Sequence, residues 1–290
     1  MARNAAAITA FGPIVLSAVE QREPPGRRLV DDDLATAFLP APLRAFVRTT
    51  GWAPVRRAVI RASDRSGPGL WTNLACRKRY IDDNLRDALG GIDAVVVLGA
   101  GLDTRAYRLA RHCDKPFFEV DQQINVDRKS AVLARVFGTL PASVHLVAVD
   151  FERDDLMATL ASHGYDAGAR TFFVWEGVTQ YLTEAAARAT FEQLSGAASG
   201  SRIDFTYVRS DFIDGVNTYG ADGLYRRTRI KSQLWKFGLL PDGVEDFLAG
   251  YGWRLIEHAG PDEFVDRYVR PTGRDLTASQ IEWSAYAEKI

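Results

Sequence analysis

Cysteine is scarce in this chain. Cys76 and Cys113 are the only two, so no disulfide framework can staple the fold. That usage points to a reducing, cytoplasmic setting. Histidine is scarce too. His112, His145, His163 and His258 are scattered, with no metal-ligand spacing among themselves or with the cysteines, so no metal site is expected. No apolar run reaches membrane-spanning length. The early run Ala5-Ala6-Ala7-Ile8-Thr9-Ala10 is too short and too weakly apolar for a secretory signal. An excess of either charge is also missing. The net charge of −1 gives no bulk pull toward nucleic acid or an anionic membrane, and favours a small or individually recognised substrate. Internal repeats and low-complexity segments are absent. What remains is ordinary globular composition, 47% hydrophobic and 25% charged, over 290 residues. That length suits one large α/β domain with an appendage, or two small domains.

The chain is organised around residues 94–105, Ala-Val-Val-Val-Leu-Gly-Ala-Gly-Leu-Asp-Thr-Arg. Ala94 to Leu98 is a continuous apolar, β-branched run, as in a parallel strand buried on both faces. Gly99 and Gly101, with Ala100 between them, allow a tight turn and a close approach to bare main chain. Asp103 can cap the helix that follows. Strand, glycine turn and helix make the nucleotide-cradling corner of an open α/β sheet. A dinucleotide fingerprint needs a third small residue at position 104, and Thr104 stands there. A cofactor without a pyrophosphate, such as S-adenosylmethionine, has less need of the full glycine set.

Before this corner the sequence reads as helical. A helical segment over 5–21 is interrupted by Gly12-Pro13 and ended by Pro24-Pro25-Gly26. Asp31-Asp32-Asp33 reads as the solvated start of a short helix. Helices over 41–65 break at Thr50-Gly51, with Arg44, Arg48, Arg56, Arg57, Arg61 and Arg65 as a solvated basic face. Leu70 to about Leu89 is a long helix that carries Arg77 and Arg79 and closes at Gly90-Gly91. After the corner, strands at 116–121, 144–149, 171–175 and 202–208 alternate with helices at 122–137, 153–163 and 183–198. That alternation means βαβ units and a mostly parallel sheet. Residues 209–250 read as helices laid over the sheet. Trp253–Glu257 and Phe264–Val269 read as two further strands, and Thr277–Ile290 as a final helix.

Four consecutive strands end in Gly99/Gly101, Asp121, Asp150 and Glu176, so acids line one rim. A carboxylate about twenty residues after the glycine turn accepts hydrogen bonds from a ribose diol. Asp121 is first choice for that role and Glu119, on the same face, is its deputy. Asp150 can take an adenine amino group while Phe151 stacks on the ring. Glu176 falls beneath the methionine portion, where its charge can meet an ammonium or sulfonium. A cofactor carboxylate calls for a guanidinium, supplied by Arg77 or Arg79 from the preceding helix.

These residues sit in longer stretches that resemble the leucine carboxyl methyltransferase type of class I S-adenosylmethionine-dependent methyltransferases. Within that group the chain is similar to the large bacterial O-methyltransferase branch, itself similar to polyketide carboxyl O-methyltransferases. The resemblance is carried by Thr9 to Leu34, Arg77-Lys-Arg-Tyr-Ile-Asp-Asp83, Leu98-Gly-Ala-Gly-Leu-Asp-Thr-Arg-Ala-Tyr-Arg108 and Phe118-Glu-Val-Asp121. It continues in Val149-Asp-Phe151, Glu176-Gly-Val-Thr-Gln-Tyr-Leu182 and the tail Arg270-Pro-Thr-Gly-Arg-Asp-Leu276 through Ile281-Glu282. It implies an arginine at the Arg77 position on the cofactor carboxylate, Gly99 backbone under the methionine portion and Asp121 on the ribose. It also implies Asp150-Phe151 at the adenine and Glu176 closing the site. Family members commonly read Ala-Arg-Thr-Arg where this chain has Cys76-Arg-Lys-Arg, which leaves both arginines in play. Family substrates range from a protein C-terminus to small polyketide acids.

The expectation is therefore a Rossmann-like class I methyltransferase fold. It has a mostly parallel seven-stranded sheet flanked by helices, an N-terminal helical segment over 1–91, and a core over 92–290. A helical cover over about 209–250 is inserted after the fifth strand. The expected reaction is O-methylation of a carboxylate or hydroxyl on a small molecule by S-adenosyl-L-methionine, in a monomer or weak homodimer. A carboxylate acceptor is ionised at neutral pH and needs no general base. Glu176 and Tyr181 would position the reactants. Tyr219, Tyr225 and Trp235 either line the acceptor pocket or pack the cover. The rival readings are an NAD(P)-dependent oxidoreductase and a non-catalytic S-adenosylmethionine-binding protein.

Overall fold

The computed structural model describes residues 11–290. The beginning of the helix expected over 5–21, and Thr9 and Ala10 of the family-like stretch, lie outside those residues. Seven strands form one sheet in the order β3-β2-β1-β4-β5-β7-β6. They are β1 (Ala94–Leu98), β2 (Phe117–Asp121), β3 (Val144–Ala148), β4 (Thr171–Trp175), β5 (Arg202–Val208), β6 (Trp253–Ala259) and β7 (Glu282–Lys289). The pairs among β1 to β5 are parallel, whereas β7 is antiparallel to both β5 and β6.

β1 is buried at every position. Val95 and Val97 face a core shared with the N-terminal helices, and Ala94, Val96 and Leu98 face the core on the opposite side. This two-sided burial is why the run is apolar without alternation. The helices preceding it are α1 (Phe11–Glu20), α2 (Ala35–Phe38), α3 (Ala41–Thr49), α4 (Ala53–Ser66) and α5 (Leu70–Ala88). Between and after the strands come α6 (Arg105–Leu109), α7 (Gln123–Phe137), α8 (Leu156–Ser162) and α9 (Glu184–Leu194). Asp155 and Thr183 cap the last two by accepting from the N–H groups of Ala158 and Ala186.

The N-terminal helices are tied to the rest of the chain by buried polar contacts. Glu20 accepts from Trp71 Nε1 at 2.7 Å, from the Leu29 N–H at 3.0 Å and from Arg274 at 2.7 and 3.1 Å. The Asp31–Asp33 triplet is not a solvated helix start. Asp32 has no solvent exposure and accepts from Thr104 Oγ1 at 2.8 Å, while Asp31 pairs with Arg28 and Asp33 with Arg111. The basic face of α3 and α4 is solvated as expected, except that Arg56 turns inward to Glu23 at 2.7 Å.

Two elements near the C-terminus differ from the expectation. Phe264–Val269 is helical, because Phe264 and Tyr268 are buried one turn apart and Pro261 opens the turn. Thr277–Ile290 is not a helix, and Glu282–Lys289 instead forms β7. Its Ala285 and Ala287 join one core and Tyr286 packs against the other, so both faces are covered and no polar alternation marks it as a strand. The cover after β5 is a set of short helical turns, at Ser210–Ile213, Asp222–Tyr225, Arg226–Lys231 and Val244–Ala249. Phe212 centres part of it, with Tyr225 and Trp235 rings 5.6 and 5.9 Å away.

One buried acid sits beneath α5 without a full set of partners. Asp204 on β5 accepts from Asn84 Nδ2 at 2.8 Å, and its other oxygen has no partner. Burial pushes its carboxyl well above the usual carboxylate range. The native state then holds a proton that the unfolded chain releases, so this group lowers stability as pH rises through that range. Asp204→Asn is expected to raise the melting temperature at pH 8 by about 2 °C or more, with the gain fading toward pH 4. A lower melting temperature at pH 8 in calorimetry would contradict this account.

Candidate active site

α5 packs along β4, β5 and β7, with Arg77 at their rim, and carries an unusual load. It is buried on almost every side, yet Asn73, Arg77, Lys78, Asp82 and Asn84 are among its buried residues. Each finds a partner from the sheet or its loops. Arg77 Nε donates to Glu176 Oε1 at 3.1 Å, and Arg77 Nη1 donates to Glu282 at the start of β7. Lys78 Nζ lies 3.5 Å from Asp103. Asp82 accepts from Arg105 and, at 2.8 Å, from Arg108.

Arg105 is the hub. It has no solvent exposure and pairs with Asp82, with Asp103, and at 2.7 Å with Glu176 Oε2. Burial alone would raise the Glu176 carboxyl, but the charges of Arg105, Lys78 and Arg77 outweigh it and hold the group below the usual range. Asp103 is held low in the same way, against burial, by Arg105 and Lys78. The N-cap of α6 is Thr104, not Asp103 as expected; Asp103 stands one residue earlier and still accepts from the Arg105 N–H at 2.6 Å while serving the cluster. Arg105 and Glu282 lie in family-like stretches of the sequence that assign them no role. A signal for Arg105 was available: an arginine at the first position of a helix opposes the helix dipole and needs carboxylates to hold it there.

The glycine corner is shaped by close approach. Gly99 has φ of 70°, and a Cβ on it would stand 2.2 Å from Val178 in the loop after β4. Next to it, the Gly101 N–H donates to Asp121 Oδ2 at 2.6 Å, so the ends of β1 and β2 are bridged directly. Asp121 also accepts from the Gln122 N–H and Asn125 Nδ2 at 2.7 and 2.8 Å. These donors fix the carboxylate at the rim while leaving it partly exposed. The Val149 N–H donates to the Asp121 carbonyl at 2.9 Å and brings Asp150 alongside. Phe151 leans toward Trp175, with ring centroids 6.2 Å apart.

The structure thus brings Arg77, Gly99, Ala100, Gly101, Asp103, Asp121, Asp150, Phe151 and Glu176 to neighbouring strand ends. It does not bring Arg79 or Glu119 there. Arg79 is about two-fifths exposed, lies 3.8 Å from Asp83 and covers the Tyr268 ring. Glu119 turns into the core beneath α7, where it accepts from Lys129 Nζ at 2.6 Å and from Tyr107. Tyr181 is partly exposed in the Glu176 loop, and the neighbouring Gln180 carbonyl accepts from Lys236 of the cover at 2.6 Å. Tyr225 and Trp235 pack the cover, and the Tyr219 hydroxyl is held by Asp211.

A family model described as leucine carboxyl methyltransferase matches residues 10–195. The chain belongs to the leucine carboxyl methyltransferase family. A protein of Mycolicibacterium smegmatis, provisionally named an S-adenosyl-L-methionine-dependent methyltransferase, is 33% identical over 240 residues, 80% of this chain and 77% of its own. Two crystal structures share the fold. One is a provisionally named methyltransferase from Thermobifida fusca, with TM-score 0.58 and 16% identity over 81% of this chain and 88% of that one. The other is a DUF574 family protein from Streptomyces avermitilis, with TM-score 0.54 and 15% identity over 82% and 91%. The chain is therefore an S-adenosylmethionine-dependent methyltransferase by family, and S-adenosylmethionine is its cofactor. The dinucleotide oxidoreductase reading falls away. Thr104 is committed to Asp32, which places an acid beside the helix start that a pyrophosphate would need.

Removing the hub charge would leave three buried carboxylates without it. Arg105→Met is expected to cost about 3–5 kcal/mol in urea unfolding. A loss below about 1 kcal/mol would show that Asp82, Asp103 and Glu176 do not depend on this guanidinium.

Proposed function

We propose that the protein transfers a methyl group from S-adenosylmethionine to an oxygen of a small acceptor, a carboxylate before a hydroxyl. The observation that carries this reading is the set of charges at neighbouring strand ends: Arg77 and Glu176 in contact, with Asp121 held by three N–H donors on the next strand but one. Their chemistry fits the cofactor. A guanidinium matches its carboxylate, Glu176 matches its ammonium, and a partly exposed rim carboxylate matches a ribose diol. Asp150 and Phe151 would take the adenine. Bound there, the cofactor supplies an activated methyl on a sulfonium, and the N-terminal helices and the 209–250 cover shield it from water.

The acceptor class follows from the bases at hand. Among the described residues no imidazole reaches the Arg77–Glu176 cluster. His145 stacks on Phe118, His163 bonds the Thr159 carbonyl at the end of α8, and His258 meets Tyr207 on the far face of β5. Burial also lowers His258 below its ordinary value. A phenol or alcohol would need a base to ionise it, whereas a carboxylate is already charged at neutral pH. Tyr181 and Glu176 would orient the acceptor rather than take its proton.

Two measurements test the proposal. Calorimetry with S-adenosylhomocysteine should show Arg77→Ala weakening binding by about tenfold or more, because a charge-assisted pair is lost, with Arg79→Ala within about twofold. The reverse order would assign the cofactor carboxylate to Arg79. Incubation with a panel of organic acids and phenols and labelled cofactor should give product whose label is released as methanol by mild alkali, as from a methyl ester. Alkali-stable label would mean an ether, and turnover with none of the panel would favour a cofactor-binding protein without this chemistry.

A further inference from the structure

Glu282 stands outside the strand ends from which the site is read, and the family-like tail that ends in it implies no role for it. It is the first residue of β7 and pairs with Val208, the last residue of β5, which carries it to the functional rim. It is 6% exposed. Both of its carboxylate oxygens accept from Arg77 Nη1, and Oε2 also accepts from Asn73 Nδ2 at 3.3 Å.

A guanidinium presents five N–H bonds in a rigid, planar fork. In Arg77, Nε is held by Glu176 at 3.1 Å and Nη1 by Glu282. Fixing two nitrogens of a plane fixes the third. That third nitrogen, Nη2, faces Gly177, where a Cβ would stand 2.7 Å away. Among the described residues Nη2 has no protein acceptor. Glu176 cannot orient Arg77 alone, since its other oxygen belongs to Arg105 at 2.7 Å.

We propose that Glu282 is a positioning residue for the cofactor. It holds Nη1 so that the Nη2 edge of Arg77 stays turned to the site and takes the carboxylate of the amino-acid portion of S-adenosylmethionine. The last strand of the sheet thereby completes a site otherwise built from the first four strands and α5. This inference rests on the assignment of Arg77 to the cofactor carboxylate.

The test compares two ligands by calorimetry. S-adenosylhomocysteine carries the amino-acid carboxylate, and 5′-methylthioadenosine keeps the adenosine and sulfur without it. Glu282→Gln is expected to weaken S-adenosylhomocysteine about tenfold while leaving 5′-methylthioadenosine within about twofold. Adding Glu282→Gln to Arg77→Ala should weaken S-adenosylhomocysteine no further, because the residue acts through Arg77. If Glu282→Gln fails to fold, Glu282→Asp, which keeps the charge but withdraws it, serves for the same comparison. Parallel weakening of both ligands, an unchanged S-adenosylhomocysteine affinity, or fully additive effects with Arg77→Ala would each overturn the proposal. Wild-type protein that binds 5′-methylthioadenosine and S-adenosylhomocysteine equally would overturn the assignment of Arg77 instead. Binding of neither would remove the cofactor reading itself.

Discussion

An arginine with no solvent exposure, wedged among three carboxylates, is the constraint on which the rest of this site depends. Arg105 is affordable inside the protein only because Asp82, Asp103 and Glu176 surround it, and each of those acids is in turn shared with Arg108, Lys78 or Arg77. With Glu282 on Arg77, the cluster sets four cations against four carboxylates. Desolvating any one of them alone would cost several kcal/mol. The balance therefore fixes the axial position and rotation of α5 over the sheet. A slip by one residue would set Lys78 where Arg77 meets Glu176 and break the match.

That fixed helix explains the glycines around it. Gly177 leaves room for the flat guanidinium of Arg77, and Gly99 leaves room for Val178 of the same loop. Both have φ near 70°, a conformation that side chains with a Cβ rarely adopt. The loop after β4 is thus pressed between the first glycine corner and α5, and it delivers Glu176 to Arg105 and Arg77 together. The Gly101 N–H is spent on Asp121 instead of a ligand phosphate. A corner wired in this way favours a ligand that meets carboxylates, such as a ribose diol, over one that needs bare N–H groups.

Much of this was legible in the sequence, for reasons that can be named. β1 to β5 are parallel strands, and the apolar runs of β1 to β4 end at glycines or acids, so runs and ends alike could be read within a residue or two. Asp121, Asp150 and Glu176 were legible because a strand end fixes a position on the rim. The tail was not. β7 enters between β5 and β6 with both faces covered, and its Ala, Glu and Ser residues have the composition of a helix. Misplacing that strand hid Glu282. The Asp31–Asp33 triplet misled in the opposite sense, since local composition cannot show that Thr104 and Arg108 wait for Asp32 across the core. Glu119 and Asp121 share a face, yet only the packing of Lys129 and Tyr107 separates an interior acid from a rim acid.

The charge balance also bears on which ligands the site can accept. The cluster is close to neutral before anything binds, so an added net charge would have to be matched from outside it. A pyrophosphate brings two negative charges to a corner where Asp32, Asp103 and Asp121 already stand, and the one guanidinium nitrogen left open at Arg77 cannot offset both. An amino-acid zwitterion adds a carboxylate and an ammonium together. Its carboxylate can meet the open edge of Arg77 and its ammonium the Glu176 side, which leaves the cluster as balanced as before. The sulfonium adds a single positive charge to a rim rich in carboxylates, and that charge would be lost when the methyl group leaves. On the proposed reaction, transfer to a carboxylate would neutralise donor and acceptor in one step, which a site of low polarity favours.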